Sequence, residues 1–269
     1  MNFKTEPVMH LSDRCVVNVT GEDAFEFLQN IVTNDIRKAQ DDSLVYACLL
    51  MPQGFYLHEF FVGRHGDGFF LDCEITGEDD LLRRLAMFRL RAKVVFERSP
   101  IEVYAGPTGL PDPRYPSLPR RNYGAVPPGA EGVGHYHDVS ITLGIPCGSR
   151  TIVAGRDTLA DVNLDLLNAI AWDKGCFIGQ EVAARMYHRN IAKRRIVGVA
   201  GQGLTAGAKL FSDGREAGEI RTVSTGETGA LAQIKSAFLT KISLSTSDGA
   251  LCAVHIPSYL PVSPEISAP

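Results

Sequence analysis

Lys174-Gly175-Cys176-Phe177-Ile178-Gly179-Gln180-Glu181 is the stretch on which the reading of this chain turns. Gly175 and Gly179 bracket Cys176, so the backbone on either side can turn sharply or approach a ligand closely. Ile178, Val182 and Met186 recur at helical spacing and predict a helix just after the second glycine. Cys176 is then beside a helix N-terminus, where free amides and Lys174 two residues away favour the thiolate, and with it a nucleophilic or redox-active sulfur. The same amides can instead hold a carboxylate. The plainer readings are that Cys176 is a small buried hydrophobe, that Gln180 and Glu181 are first-turn residues suited to the helix dipole, and that Arg185 is the ion-pair partner of Glu181 one turn on.

Outward from that stretch, bulk properties bound the answer. The chain has 269 residues with 45% hydrophobic content, which predicts two or three packed modules rather than one core. Its 27 basic and 31 acidic side chains leave a net charge of -4, and no electrostatic footprint for direct nucleic-acid binding. No apolar run approaches the about 20 residues needed to span a bilayer, and Met1 to His10 lacks the basic and apolar regions of a signal peptide. A soluble, cytoplasmic protein without membrane contact is expected. Cys15, Cys48, Cys73, Cys147, Cys176 and Cys252 are scattered with no Cys-x-x-Cys spacing, and His135 and His137 have no nearby cysteine. Neither a disulfide framework nor a metal site is expected.

Thr20-Gly21-Glu22-Asp23 has the form of a capping box, and Ala24, Phe25, Phe27, Leu28, Ile31 and Val32 predict an amphipathic helix to about Asn34. Leu44 to Met51, Phe55 to Val62 and Phe69 to Ile75, separated by turn residues, read as a β-meander. Leu81, Leu82, Leu85, Met87 and Phe88 give a second helical stripe among arginines, before a strand near Lys93 to Glu97. Seven prolines between Gly106 and Pro128 make an ordered loop or linker, and a short helix is expected around Leu164 to Ile170. Beyond Lys193 the chain becomes short β-type runs punctuated by glycines, at Ile196 to Ala200, Lys209 to Ser212, Glu219 to Val223, Ala230 to Ile234 and Ala250 to Ile256. These predict a terminal β-barrel followed by a poorly ordered tail.

Lys174 to Glu181 resembles the signature Lys-Gly-Cys-Tyr-x-Gly-Gln-Glu of the folate-binding YgfZ family and its mitochondrial iron-sulfur assembly relatives, with Phe177 in place of the usual Tyr. Supporting matches run along the chain at Gly21 to Gln29, Thr33-Asn34-Asp35, Leu49 to Gly54, Arg89 to Val94, Asp112-Pro113-Arg114, Leu143 to Pro146 and Asn163-Leu164-Asp165. The chain departs from the family at Ser140, where an Arg is common, and at Asp161, near a frequent Glu.

That family is similar in fold to the glycine-cleavage T-protein, an aminomethyltransferase. The resemblance therefore implies an α+β cloverleaf of folate-binding modules over residues 1–195, with a β-barrel and tail over 196–269. It implies a tetrahydrofolate or one-carbon-substituted ligand, iron-sulfur client or assembly partners, and an indirect effect on tRNA thiolation through iron-sulfur enzymes. The alternative it leaves open is a folate-dependent aminomethyl or one-carbon transferase. Glu59 aligns with the T-protein's catalytic Asp, and Asp72 with an Asn that contacts the pterin. Ionised carboxylates are acceptor-only, so both suit a pterin's amino and ring N–H groups, though each also suits an ordinary polar position on a half-exposed sheet. The implied reactive set is Cys176, Lys174 and Glu59. The implied folate contacts are Asn34, Asp35, Glu59, Asp72, Gln180, Glu181 and Arg185, with Asn34 and Asp35 readable equally as a helix C-cap and turn.

Overall fold

A computed structural model describes residues 7–189 and 192–261. The strands are β1 (Met9–His10), β2 (Arg14–Thr20), β3 (Val45–Leu50), β4 (Tyr56–His65), β5 (Gly68–Glu74), β6 (Val95–Ser99), β7 (Val103–Gly106), β8 (Arg120–Tyr123), β9 (Arg194–Ala200), β10 (Lys209–Ser212), β11 (Arg215–Val223), β12 (Gly229–Lys235), β13 (Ser243–Thr246) and β14 (Leu251–His255). The α-helices are α1 (Ala24–Ile31), α2 (Glu78–Arg89), α3 (Val133–Leu143), α4 (Gly148–Thr151) and α5 (Gln180–His188). The chain forms two compact units, Met1–Tyr136 with Leu167–Glu181, and His137–Leu166 with Val182–Pro269. No helix among the described residues is long and apolar enough to cross a membrane.

The first unit is organised by an antiparallel sheet in the order β3-β4-β5-β2-β6. Side chains alternate across its strands, so one face of β2 and β5 presents Val17, Val19, Phe69, Leu71 and Cys73 to α1 and α2. The core on that face is closed by Ala24, Phe27, Leu28 and Ile31 of α1 and by Leu81 and Leu85 of α2. The opposite face carries Val16 and Phe70, which pack with Met9, Val103, Ala105 and Tyr136 near a second sheet in the order β1-β7-β8. It also carries the polar side chains described below. The proline-rich segment after β7 is ordered and contributes β8, paired antiparallel to β7 in the second sheet.

Several expectations change here. Thr20 ends β2 and does not cap α1; the N-cap is Asp23, whose carboxylate accepts from the Lys93 amide at 2.7 Å. Met87 is 68% exposed rather than part of the apolar stripe. No α-helix forms around Leu164 to Ile170. A 3-10 turn over Ala160–Val162 ends at Asn163, and both Asn163 (φ 63) and Asn168 (φ 56) are left-handed, which breaks the run into successive turns.

The second unit contains a closed antiparallel barrel in the order β10-β11-β12-β9-β14-β13. Val197, Val199, Leu210, Ile220, Ala230, Ala232 and Leu244 fill it. β13 has no counterpart in the sequence reading, because Ser243-Leu244-Ser245-Thr246 carries a single apolar side chain inward. Leu260, after the last strand, is buried in the barrel core. The remainder of the expected loose tail, 262–269, lies outside the described residues, as do residues 1–6 of the start.

Candidate functional site

Strand register brings Tyr46 and Cys48 of β3, Glu59 and Phe61 of β4, Asp72 of β5 and Arg14 of β2 onto one face of the five-stranded sheet. Arg14 ties the acids together. Its Nη1 donates to Glu59 Oε1, its Nε to Asp72 Oδ1 at 2.7 Å and its Nη2 to the Asp72 carbonyl at 2.6 Å. From β8, Arg121 donates to Asp72 Oδ2 through Nε (3.0 Å) and Nη2 (2.6 Å), and the Tyr123 hydroxyl donates to the same oxygen at 3.0 Å. Arg114 grips Asp112 bidentately at 3.0 and 2.8 Å, and Tyr136 OH accepts from Arg114 (2.6 Å) and Arg121 (3.1 Å).

All three guanidiniums lie over the Phe61 ring, with Arg121 at 3.9 Å, Arg114 at 5.0 Å and Arg14 at 5.4 Å from its centroid. Three arginines thus meet three carboxylates with side chains at most 10% exposed. Burial pushes the Asp72 and Asp112 carboxyls up, and the guanidiniums beside them bring both below the ordinary carboxylate range. Arg14 is raised well above its ordinary value by Asp72 and Glu59 against the same desolvation.

Three buried side-chain atoms of this face lack a hydrogen-bond partner among the described residues, one of them Asn18 Oδ1 toward the end of β2. The other two are Glu59 Oε2 and Tyr46 OH. Glu59 is 3% exposed and Tyr46 1%, so water from bulk does not satisfy them. The acceptors of Asp72, in contrast, are taken up by two arginines and a tyrosine.

Asn34 is fully engaged. Its Nδ2 donates to the carbonyls of Tyr46 (2.8 Å) and Asn168 (2.6 Å), and its Oδ1 accepts from the Asp35 amide. Asp35 caps a 3-10 turn over Ile36–Lys38 and accepts from Gln29 and from Arg37, whose hydrogen bonds hold its carboxyl down at about 2. Neither residue caps α1, whose C-cap is Val32. Asn34 and Tyr46 do border a cavity of about 260 Å³ shared with Lys38, Pro113 and Asn168.

In the signature stretch, Lys174 is directed away from Cys176. Its ammonium donates to the carbonyls of Gln29 and Val32 at 2.7 Å and of Asn34 at 2.9 Å, so it closes the C-terminal end of α1 instead of polarising the cysteine. Its position 5.5 Å from the Phe177 centroid adds a cation–π contact. Burial lowers the Lys174 ammonium to about 8.

Gly179 (φ 81) fits beneath the β3–β4 turn, where a Cβ would lie 2.6 Å from the Met51 carbonyl oxygen and 3.0 Å from Leu50 Cβ. Phe177 is buried and Ile178 packs on the α1/α2 core, which leaves Cys176 on the outer side of the loop. Cys176 is the exposed member of the six free cysteines; Cys48, Cys73, Cys147 and Cys252 are buried and Cys15 is half-buried. Gln180 opens α5, Glu181 follows it exposed, and Arg185 is exposed on the part of α5 that belongs to the second unit.

The sequence brought Glu59 and Asp72 to one face but did not point to the groups that hold them, Arg14, Arg121 and Tyr123, nor to the neighbouring Asp112–Arg114 pair. One signal was available, an arginine at the head of the apolar alternation Val16-Val17-x-Val19. Asp112-x-Arg114 was a second, a spacing that permits a bidentate pair within one turn.

No family model matches the chain. Among curated proteins it is 27% identical over 217 residues to the mitochondrial iron-sulfur cluster assembly factor IBA57 homolog of Pyricularia oryzae, covering 70% of this chain and 55% of that one. It is 26% identical over 301 residues to the human mitochondrial iron-sulfur cluster assembly factor IBA57, covering 93% and 84%. The chain spans about half the length of the fungal relatives it matches. Among solved structures, the glycine cleavage system aminomethyltransferase T from Bartonella henselae matches with a TM-score of 0.74 at 16% identity, over 95% of this chain and 86% of that one. The fold is therefore T-protein-like, α+β with a C-terminal six-strand antiparallel barrel.

Proposed function

We propose that the chain, 26–27% identical to IBA57 iron-sulfur cluster assembly factors, belongs to the IBA57/YgfZ family, and that it binds tetrahydrofolate and serves iron-sulfur cluster assembly or repair as an accessory protein. The orphaned Glu59 Oε2 carries this reading. A buried carboxylate oxygen without a donor is costly to leave unmet, and a pterin's amino and ring N–H groups are donors of the matching kind. Tyr46 OH, orphaned on the same face, adds a hydroxyl that can donate or accept.

Asp72 serves that site indirectly, by fixing Arg14 and through it Glu59 Oε1. Asn34 and Asp35 shape the neighbouring wall with their side chains already engaged. Gln180 and Glu181 enter as folate contacts on the strength of the signature stretch. Bound tetrahydrofolate supplies a carrier for a one-carbon unit. Cys176, exposed on its glycine-flanked loop, is the thiol offered to iron-sulfur chemistry, and Lys174 holds that loop to α1. The partners in this reading are assembly-machinery and client proteins, with any effect on tRNA modification arising through them and no direct nucleic-acid contact. The relatives named above are mitochondrial; a cytoplasmic location is our proposal for this chain.

A second reading, an aminomethyl or one-carbon transferase, is favoured by the same observation, because an unpartnered carboxylate oxygen is free to take a proton. The two separate by mutation. An assembly factor needs Cys176 and loses function in Cys176→Ala, whereas a transferase tolerates that change and fails in Glu59→Gln. Calorimetric titration with tetrahydrofolate and its methylene and formyl forms tests the shared premise, and absence of binding by all three removes it.

A further inference from the structure

We propose that Cys15 and Cys73 form a reversible disulfide across β2 and β5, a redox modification site that takes a small disulfide such as oxidised glutathione as its oxidant. The two residues are direct cross-strand partners, and their sulfurs lie 3.5 Å apart as free thiols. Opposed residues of an antiparallel pair have Cα atoms about 4.5–5.5 Å apart, inside the range of about 4.4–6.8 Å that a disulfide bridges. The sulfurs can therefore close to a bond of about 2.05 Å by side-chain rotation, with the strands kept in register. Cys48 is excluded as a competitor because it faces the opposite side of the sheet, with Glu59.

The order of reaction follows from exposure. Cys15 is half-buried, while Cys73 is 2% exposed and has its thiol held well above the ordinary value by the hydrogen bond with Cys15 and by burial. The Cys15 thiolate attacks one sulfur of oxidised glutathione, breaking that S–S bond and releasing one glutathione thiolate. Cys73 then gives up its proton to solvent and attacks the Cys15 sulfur, and the second glutathione leaves. Two protein thiols lose two protons and two electrons, and one external disulfide becomes two thiols.

Position makes this more than a packing detail. Cys15 follows Arg14 and Cys73 follows Asp72, and the Arg14–Asp72 ion pair sits on the other face of the same two strands. Oxidation clamps the strand pair that carries the polar network, and excess thiol releases it.

The test uses the full reduced chain equilibrated in glutathione buffers of rising oxidised fraction, quenched, digested with trypsin and read by mass spectrometry. Each of the six cysteines falls on its own tryptic peptide, with Cys15 on 15–37, Cys73 on 65–83 and Cys176 on 175–185. We expect peptides 15–37 and 65–83 to become joined, the intact chain to lose two hydrogens, and the ratio of joined to reduced chain to rise with oxidised glutathione divided by the square of reduced glutathione. In Cys73→Ala, Cys15 should stop at the mixed disulfide with glutathione; in Cys15→Ser, Cys73 should stay reduced. If the unmutated chain accumulates the mixed disulfide at Cys15 without closure, or if both peptides stay reduced while 175–185 takes up glutathione, the proposal fails.

Discussion

Lys174→Met separates a structural lysine from a catalytic one, because methionine keeps the unbranched stem and removes the charge. The ammonium meets three main-chain carbonyls at 2.7, 2.7 and 2.9 Å, two of them at or just beyond the last turn of α1, where a helix leaves its carbonyls unpaired and favours a cation. With about 1.5 kcal/mol or more net for each hydrogen bond from a charged donor, offset in part by no longer drying an ammonium, the substitution should cost about 2–4 kcal/mol. Urea unfolding followed by circular dichroism measures this, and alkylation of Cys176 in the folded variant should proceed at the unmutated rate. The unmutated chain carries a further sign. Burial brings Lys174 from its ordinary 10.5 to about 8, so between those values the unfolded chain holds more protons than the folded one. Stability should rise with pH through that window in the unmutated chain relative to Lys174→Met. A loss under about 1 kcal/mol, or a Cys176 thiol that slows sharply in the variant, would refute the assignment of Lys174 to the end of α1.

Gly179→Ala should destabilise by about 2–4 kcal/mol, from a left-handed backbone and a Cβ driven against the Met51 carbonyl, and the urea midpoint reports it. Arg121→Leu should cost about 3–5 kcal/mol, because Asp72 would lose a bidentate partner while fully buried, and thermal unfolding near neutral pH should show the loss. Brief alkylation of the native protein, read peptide by peptide, should label Cys176 ahead of the other five, since it alone of the six is exposed; comparable labelling of buried Cys48 or Cys252 would contradict the loop geometry.

The meander was legible because its three strands are apolar runs cut by Pro52-Gln53-Gly54 and by Gly63 to Gly68, so β3, β4 and β5 fall within two or three residues of their expected limits. Most of the barrel was legible for the same reason. β13 was not, because a strand that sends a single leucine inward has no period to detect. The helix expected near Leu164 failed because left-handed Asn163 and Asn168 are a conformational choice that apolar spacing does not encode. Glu59 and Asp72 were found through their strands, whereas the arginines that hold them come from β2 and β8. Such partners become neighbours only once the sheets are assembled. Lys174 illustrates the same limit, since proximity in sequence to Cys176 says nothing of where a four-carbon stem delivers its charge.

Titration calorimetry of the unmutated chain and of Glu59→Gln with tetrahydrofolate tests the central claim most directly. The account predicts binding by the unmutated chain and at least about tenfold weaker binding by Glu59→Gln, equivalent to about 1.4 kcal/mol, because the amide sets an N–H against the pterin's own N–H donors where the carboxylate offered only acceptors. Equal affinity in the two proteins, or no heat of binding in the unmutated chain, would contradict it.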